Sequence, residues 1–321
     1  VSEHAPFPGL RLLTAGLFDY AGTFPPAALA FDEALAKSAS FPELLLRPWL
    51  RAADLVVTTG QLANLSSDRL RRAGFLDGRA LRWAALGPVL KPDGPAAVDG
   101  DLLTWLERAA SLRLPQEIVS YEVRVEVSPS AVGWLTGALV LLVQGLAPRG
   151  IRLVIEPDWS PEDWLAGAEV LAEVLAGMSE PRPVLKVRGS GPKAIDVPAM
   201  AHVVGVVARH GLGLKATAGL HHPVRDARWG NDLGFLSLAA GLRLRQTLGE
   251  DGFPDEALLS CLVQEGRAGL ETFDLRRGLA WRDWSLEAAT LEAVVARLPF
   301  AIGSCSLDEP DEALAGVFGR P

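Results

Sequence analysis

Short apolar runs alternate with longer amphipathic stretches along most of the chain. The apolar runs read as strands at 12–18 (LLTAGLF), 54–58 (DLVVT), 81–86 (LRWAAL), 118–127 (IVSYEVRVEV), 151–156 (IRLVIE), 183–188 (PVLKVR), 212–218 (LGLKATA) and 300–306 (FAIGSCS). Between them lie helical patterns such as PEDWLAGAEVLAEVLAGM and DVPAMAHVVGVVARH. Strands alternating with helices predict right-handed βαβ units and a parallel sheet. Eight such units close on themselves, so the pattern predicts an α/β chain with one domain over 1–321, a (β/α)8 TIM-like barrel. The run at 54–58 is the weakest of the eight, and without it the alternatives are a seven-stranded or an open doubly wound sheet. The longest connection follows the seventh strand, with extra helices expected near 232–247, 254–266 and 285–297.

Polar residues interrupt these strands with period two, and that changes the picture. Glu122, Arg124 and Glu126 share one face of the fourth strand, and the fifth ends at Glu156. Lys186 and Arg188 share a face of the sixth, and Lys215 and Thr217 a face of the seventh. Asp19 and Tyr20 follow the first strand, and Ser304, Ser306 and Asp308 alternate at the last. Helices cover the outside of a barrel, so an outward charge would be buried against apolar helix faces at a cost of several kcal/mol. The charged faces are therefore expected to point inward, towards the C-terminal end where barrels carry their chemistry. Glu122, Arg124 and Arg188 would equally suit an internal ion network that only fills the barrel. Beyond the seventh strand, His221 and His222 open a loop that also holds Arg225, Arg228 and Asp226. Asn231 or Asp232 there would cap the next helix. Such a loop can anchor an anion, or it can be a solvated loop with its arginines paired to its own acids.

Composition narrows the function classes. The chain has 321 residues, 49% of them hydrophobic, and a net charge of −8, with a pI near 5.3 and a mean hydropathy of +0.20. That supports a large core and excludes a disordered chain. An acidic balance argues against a duplex-nucleic-acid binder. The two cysteines, Cys261 and Cys305, have no zinc spacing, and no disulfide framework is expected, which makes a reducing cytoplasm the default. Cys305, on a strand, reads as core packing and not as a nucleophile. No secretory signal is read in VSEHAPFPGL. The most apolar stretch, AVGWLTGALVLLVQGLA (131–147), reads as a buried helix, being short of a typical membrane span. The expected partner is a small anionic substrate, with no nucleic acid and no membrane, and a homo-oligomer remains open.

The segment LKATAG resembles the lysine strands of class I, Schiff-base aldolases of the deoxyribose-phosphate aldolase type. That resemblance implies a lysine pair on adjacent barrel strands, Lys186 and Lys215, one forming an imine with the substrate carbonyl and the other lowering its pKa. It also implies a carboxylate that moves protons, Glu122 or Glu156. The stretch LKVRGSG departs from the pattern, with Arg188 where such aldolases carry hydroxyl residues. More broadly, FDYAGTFPPAAL and KATAGLHHPVR are similar to stretches of uncharacterised bacterial and plant proteins, which implies no activity. The leading expectation is a carbon–carbon lyase without a cofactor. Lys215 would be the imine-forming amine and Lys186 its neighbour, with Glu156, Glu122 and Asp19 in the catalytic set. His221, His222, Arg225, Arg188 and Arg124 would bind substrate. The first alternative is a metal-dependent lyase, isomerase or hydrolase with one divalent ion on Asp19, Glu156, His221 and His222. The second is a non-catalytic barrel that binds a ligand.

Overall fold

The computed structural model describes residues 7–14, 17–44, 54–75, 81–91, 102, 104, 116–226, 233–306 and 308–318. Eight strands form one closed, all-parallel barrel: β1 (Phe18–Tyr20), β2 (Leu55–Thr58), β3 (Leu81–Leu86), β4 (Gln116–Val125), β5 (Arg152–Pro157), β6 (Val184–Arg188), β7 (Gly213–Thr217) and β11 (Phe300–Ser304). Around the sheet the order is β1-β11-β7-β6-β5-β4-β3-β2. The chain is a (β/α)8 barrel, and 54–58, the weakest strand signal, does form: Leu55 to Thr58 pair in register with Trp83 to Leu86.

Two elements depart from the sequence expectation. The run at 12–18 opens on the end of a helix, Pro8–Thr14, and β1 begins only at Phe18. Leu10 and Leu13, three residues apart, are both buried on one side of this helix. Proline at its first position suits a helix start, where the missing N–H is no loss. The long connection after β7 holds the expected helices, Phe235–Gly252, Asp255–Leu262 and Ala288–Arg297. It also holds an antiparallel sheet that was not expected: β8 (Phe273–Asp274), β9 (Gly278–Trp281) and β10 (Trp284–Glu287). The Trp281 and Trp284 rings stack across its hairpin at 5.5 Å.

The first helix is fastened to this sheet by backbone. Gly9 N–H donates to the Leu275 carbonyl at 2.9 Å, and a Cβ built on Gly9 would lie 1.6 Å from the Gly278 carbonyl oxygen. Neither backbone can give way cheaply. Gly9→Ala is expected to cost at least the roughly 1–3 kcal/mol of an overpacked core, read as a lowered denaturation midpoint. An unchanged midpoint would mean that the helix slides off its seat freely.

The apolar stretch 131–147 forms the helix Val132–Leu146 on the barrel's outer layer. Val132, Leu135, Leu139, Leu142 and Leu146 are buried at helical spacing, while Trp134, Val140 and Leu141 are exposed. The helix is buried on one face only, where the sequence reads as a buried helix. With its 3-10 flanks it runs from Pro129 to Arg149. Among the described residues it is the one helix long and apolar enough to cross a membrane.

Candidate active site

Strand β7 shows how the sequence builds the site. Leu214 and Ala216 are fully buried beneath the helical layer, and the alternating positions Lys215 and Thr217 project into the barrel. On β6 the same parity puts Lys186 and Arg188 inside, with Lys186 directly opposite Lys215 in register. Asp19 on β1, Glu122 on β4 and Glu156 on β5 complete an inner ring of charges, and Asp19, Glu122, Glu156, Lys186 and Lys215 are all buried.

These side chains form a single line of alternating charge. Asp19 pairs with Lys215, and Lys215 Nζ donates to Glu122 Oε1 at 2.5 Å. The other oxygen of Glu122 accepts from Lys186 Nζ at 2.8 Å. Lys186 Nζ lies 2.8 Å from Glu156 Oε2, and Glu156 Oε1 accepts from Arg188 Nε at 3.0 Å. Three carboxylates and three cations thus cancel, which is how a barrel interior can hold six ionisable groups. Arg188, with 38% of its side chain exposed, is the end that meets solvent.

The line sets the protonation of its members. Burial alone would raise Glu122, but Lys186 and Lys215 outweigh it and hold the carboxyl at about 2. Burial likewise opposes the ionised form of Glu156, yet Lys186 and Arg188 bring it below the usual range. Lys215 loses stability as a buried cation, but Asp19 and Glu122 more than compensate and push it up. Asp19 is buried, and faces Lys215, the like charge of Glu122 and, more weakly, Lys186. Burial wins there, and its carboxyl is raised. Asp19 is therefore the carboxylate of the line most ready to carry a proton.

A cavity of about 330 Å³ opens above this line at the C-terminal end, lined by Glu122, Lys186, Arg188, Lys215, Thr217, His221 and Cys305. Phe24, Pro25 and Pro26 from the loop after β1 also line it. The chain leaves β7 through two left-handed residues, Ala218 (φ 61°) and Gly219 (φ 77°). This sharp turn aims His221 at the mouth, where its Nδ1 lies 2.8 Å from Glu309 Oε2.

Several expected residues lie elsewhere. Arg124 reaches out to Asp158 at 2.6 Å, with 43% of its side chain exposed. His222 and Arg225 line a separate cavity of about 560 Å³ with Arg267, Glu271 and Glu312. Ser304 donates to the Ser306 carbonyl, and Asp308 pairs with Lys37. Arg228, Asn231 and Asp232 lie outside the described residues. The four groups considered for a metal do not converge. Asp19 is held by Lys215, Glu156 by Lys186 and Arg188, and His221 by Glu309, while His222 faces the other cavity. Among the described residues no group of three His, Cys, Asp or Glu side chains is arranged to hold a metal ion.

Cys305 was expected in the core and instead lines the cavity; burial and the nearby Glu309 raise its thiol. A signal for it existed. In FAIGSCS the small residues Ala301, Gly303 and Cys305 share one parity, as an inner face facing bulky lysines requires, while Phe300 and Ile302 are buried on the other. No protein-family model matches the chain, and no curated protein matches it at a significant level.

Proposed function

We propose that the chain is an enzyme acting on a small anionic carbonyl compound, by carbon–carbon lyase chemistry through a lysine imine. The observation that carries this reading is the pair of lysines on adjoining strands, interleaved with carboxylates, at the floor of the C-terminal cavity. It does not favour the expected division of labour. Lys215 is clamped between Asp19 and Glu122 as a stabilised ammonium, and is better suited to hold charge than to attack. Lys186 also meets two carboxylates, Glu122 and Glu156, but Glu156 is shared with part-exposed Arg188 at the cavity side, and we therefore assign the amine to Lys186.

In this reading Arg188 engages the anionic end of the substrate. Asp19 is beyond the reach of Lys186. With Arg188 turned to the substrate, Glu156 loses one of the two cations that keep it ionised, so Lys186 passes it a proton and the neutral amine adds to the carbonyl carbon. Glu156 returns the proton as the carbinolamine oxygen departs as water, which leaves an iminium. It then accepts the proton of the substrate's β-hydroxyl while the carbon–carbon bond breaks and its electron pair moves to the iminium nitrogen, releasing one carbonyl product and leaving an enamine. Glu156 returns that proton to the enamine carbon, and water hydrolyses the resulting iminium to release the second product and the free amine. Lys215 remains charged throughout and stabilises the negative charge that develops beside it.

Borohydride reduction in the presence of small 2-oxo acids and anionic aldehydes tests this. A carbonyl-dependent mass adduct is expected on Lys186, absent in Lys186→Met and retained in Lys215→Arg. Lys37, Lys91 and Lys193 serve as internal controls for unspecific labelling. An adduct on Lys215 alone would restore the first assignment. Turnover of a carbonyl compound with no adduct on either lysine would end the imine reading.

A further inference from the structure

The opposite end of the barrel also holds a cavity, of about 220 Å³, whose charges are not balanced as those of the upper line are. Its walls include Asp54, Arg82 and Arg152 at the N-terminal ends of the strands and Arg243 from the helix Phe235–Gly252, with Asp19 and Lys215 above them. Asp19 is committed to Lys215, and Asp54 to Arg82 at 2.9 Å. That leaves two arginines. Arg243 is 4% exposed; its Nη1 donates to the Leu298 carbonyl at 2.7 Å and to Gln246 Oε1 at 2.8 Å, both uncharged. Arg152 has a buried Nε with no hydrogen-bond partner. Among the described residues no carboxylate lies within ion-pair distance of either. The acid that bears on Arg152 is Glu180, which is itself paired with Arg182.

Two guanidinium groups facing one cavity without a counter-charge are costly, because a buried cation is tolerated only when paired and hydrogen-bonded. Burial does depress both, Arg243 to about 10. A planar fork of N–H donors is also the group best shaped for two oxygens of one anion. We propose that this N-terminal cavity is an oxyanion site that takes a phosphate group, free or as the end of a small phosphate ester, between Arg152, Arg243 and Arg82. A second cavity, of about 380 Å³, shares Arg152 and Pro299 with the first and is lined further by Arg182, Arg209 and Arg297. Glu180 also lines it, paired with Arg182, so the remainder of an ester would meet a mixed lining in which the arginines outnumber the acid. The site lies beneath the barrel floor and does not depend on the chemistry assigned to the mouth.

Calorimetric titration with inorganic phosphate at pH 7, against chloride of matched ionic strength, tests the site. Saturable one-to-one binding is expected. It should weaken about tenfold or more in Arg152→Gln and in Arg82→Gln, each of which loses a charge-assisted contact, and it should be unchanged in Arg71→Gln, on the surface beside Asp68. Glycerol 1-phosphate separates the two sources. Competition with phosphate at equal or better affinity identifies an ester, and binding of inorganic phosphate alone identifies the free ion. The proposal is overturned if no saturable binding is found above chloride. It is equally overturned if binding survives both lower variants and is lost in Arg188→Gln, which would place the anion at the mouth.

Discussion

Replacing Glu122 with glutamine is expected to destabilise the protein by roughly 3–5 kcal/mol, the cost of removing one partner from a buried ion pair. Glu122 is the centre of the line: one oxygen holds Lys215 and the other Lys186. Glutamine keeps the shape but leaves two buried ammonium groups sharing the carboxylates at the ends. The comparison is Asp308→Asn, which removes the surface partner of Lys37, whose side chain is 35% exposed; that change should cost about 1 kcal/mol or less. Tryptophan fluorescence during urea unfolding reports both variants. The pH dependence carries the same signature. The Glu122 carboxyl sits at about 2 in the folded protein against an ordinary 4.5. Its contribution is therefore complete above pH 4.5 and lost as pH falls from there towards 2. That part of the acid limb should vanish in Glu122→Gln. A variant within about 1 kcal/mol of wild type would mean that the lysines do not rely on Glu122.

Asp54 should behave in the opposite sense. Burial and the charge of Asp19 push its carboxyl up to about 7 from 3.8, against the pull of Arg82. Below pH 3.8 both folded and unfolded chains are protonated there. Between 3.8 and 7 the folded chain keeps a proton that the unfolded chain has released, so stability falls as pH rises through this window. The full shift corresponds to about 4 kcal/mol at most, reduced by whatever water reaches the cavity. Asp54→Asn, measured in chloride, is expected to match or trail wild type at pH 4 and to exceed it by about 2 kcal/mol at pH 8. The difference between the two curves isolates this group from every other titration. A constant difference from pH 4 to 8 would show that the carboxyl is ionised throughout.

The barrel was legible because its strands obey period two and its helices do not. In LGLKATA the alternation alone places Lys215 and Thr217 on one side and Leu214 and Ala216 on the other, and the structure keeps that division. The first strand was misplaced because a short apolar run has no period of its own. Leu10 and Leu13 are three apart, but LLTAGLF read alone fits a strand equally well. The antiparallel sheet escaped because its strands are two to four residues long. Its hairpin also turns through Arg282 at φ 52°, where glycine or asparagine would have announced it. Within the site, the inward lysines and carboxylates could be identified, but their pairing could not. Asp19 meets Lys215 because β1 and β7 are separated in the sheet only by β11, a relation across 196 positions of chain that no local pattern encodes. Cavity membership failed for His222 and Arg225 for a related reason. Two left-handed residues after β7 set the direction of the whole loop, and a sequence does not state the angle at which a loop departs.

Closure through β1 and β11 joins segments far apart along the polypeptide: Phe18 is in register with Ile302 and Tyr20 with Ser304. During synthesis at about 5–20 residues per second, the first strand has β2 beside it early but waits roughly a quarter of a minute to a minute for β11. All six charges of the inner line, from Asp19 to Lys215, have by then left the ribosome. An unfinished barrel with a purely aliphatic lining would offer other nascent chains an adhesive trough. Here the trough is wet, with its acids and bases hydrated until the last strand arrives.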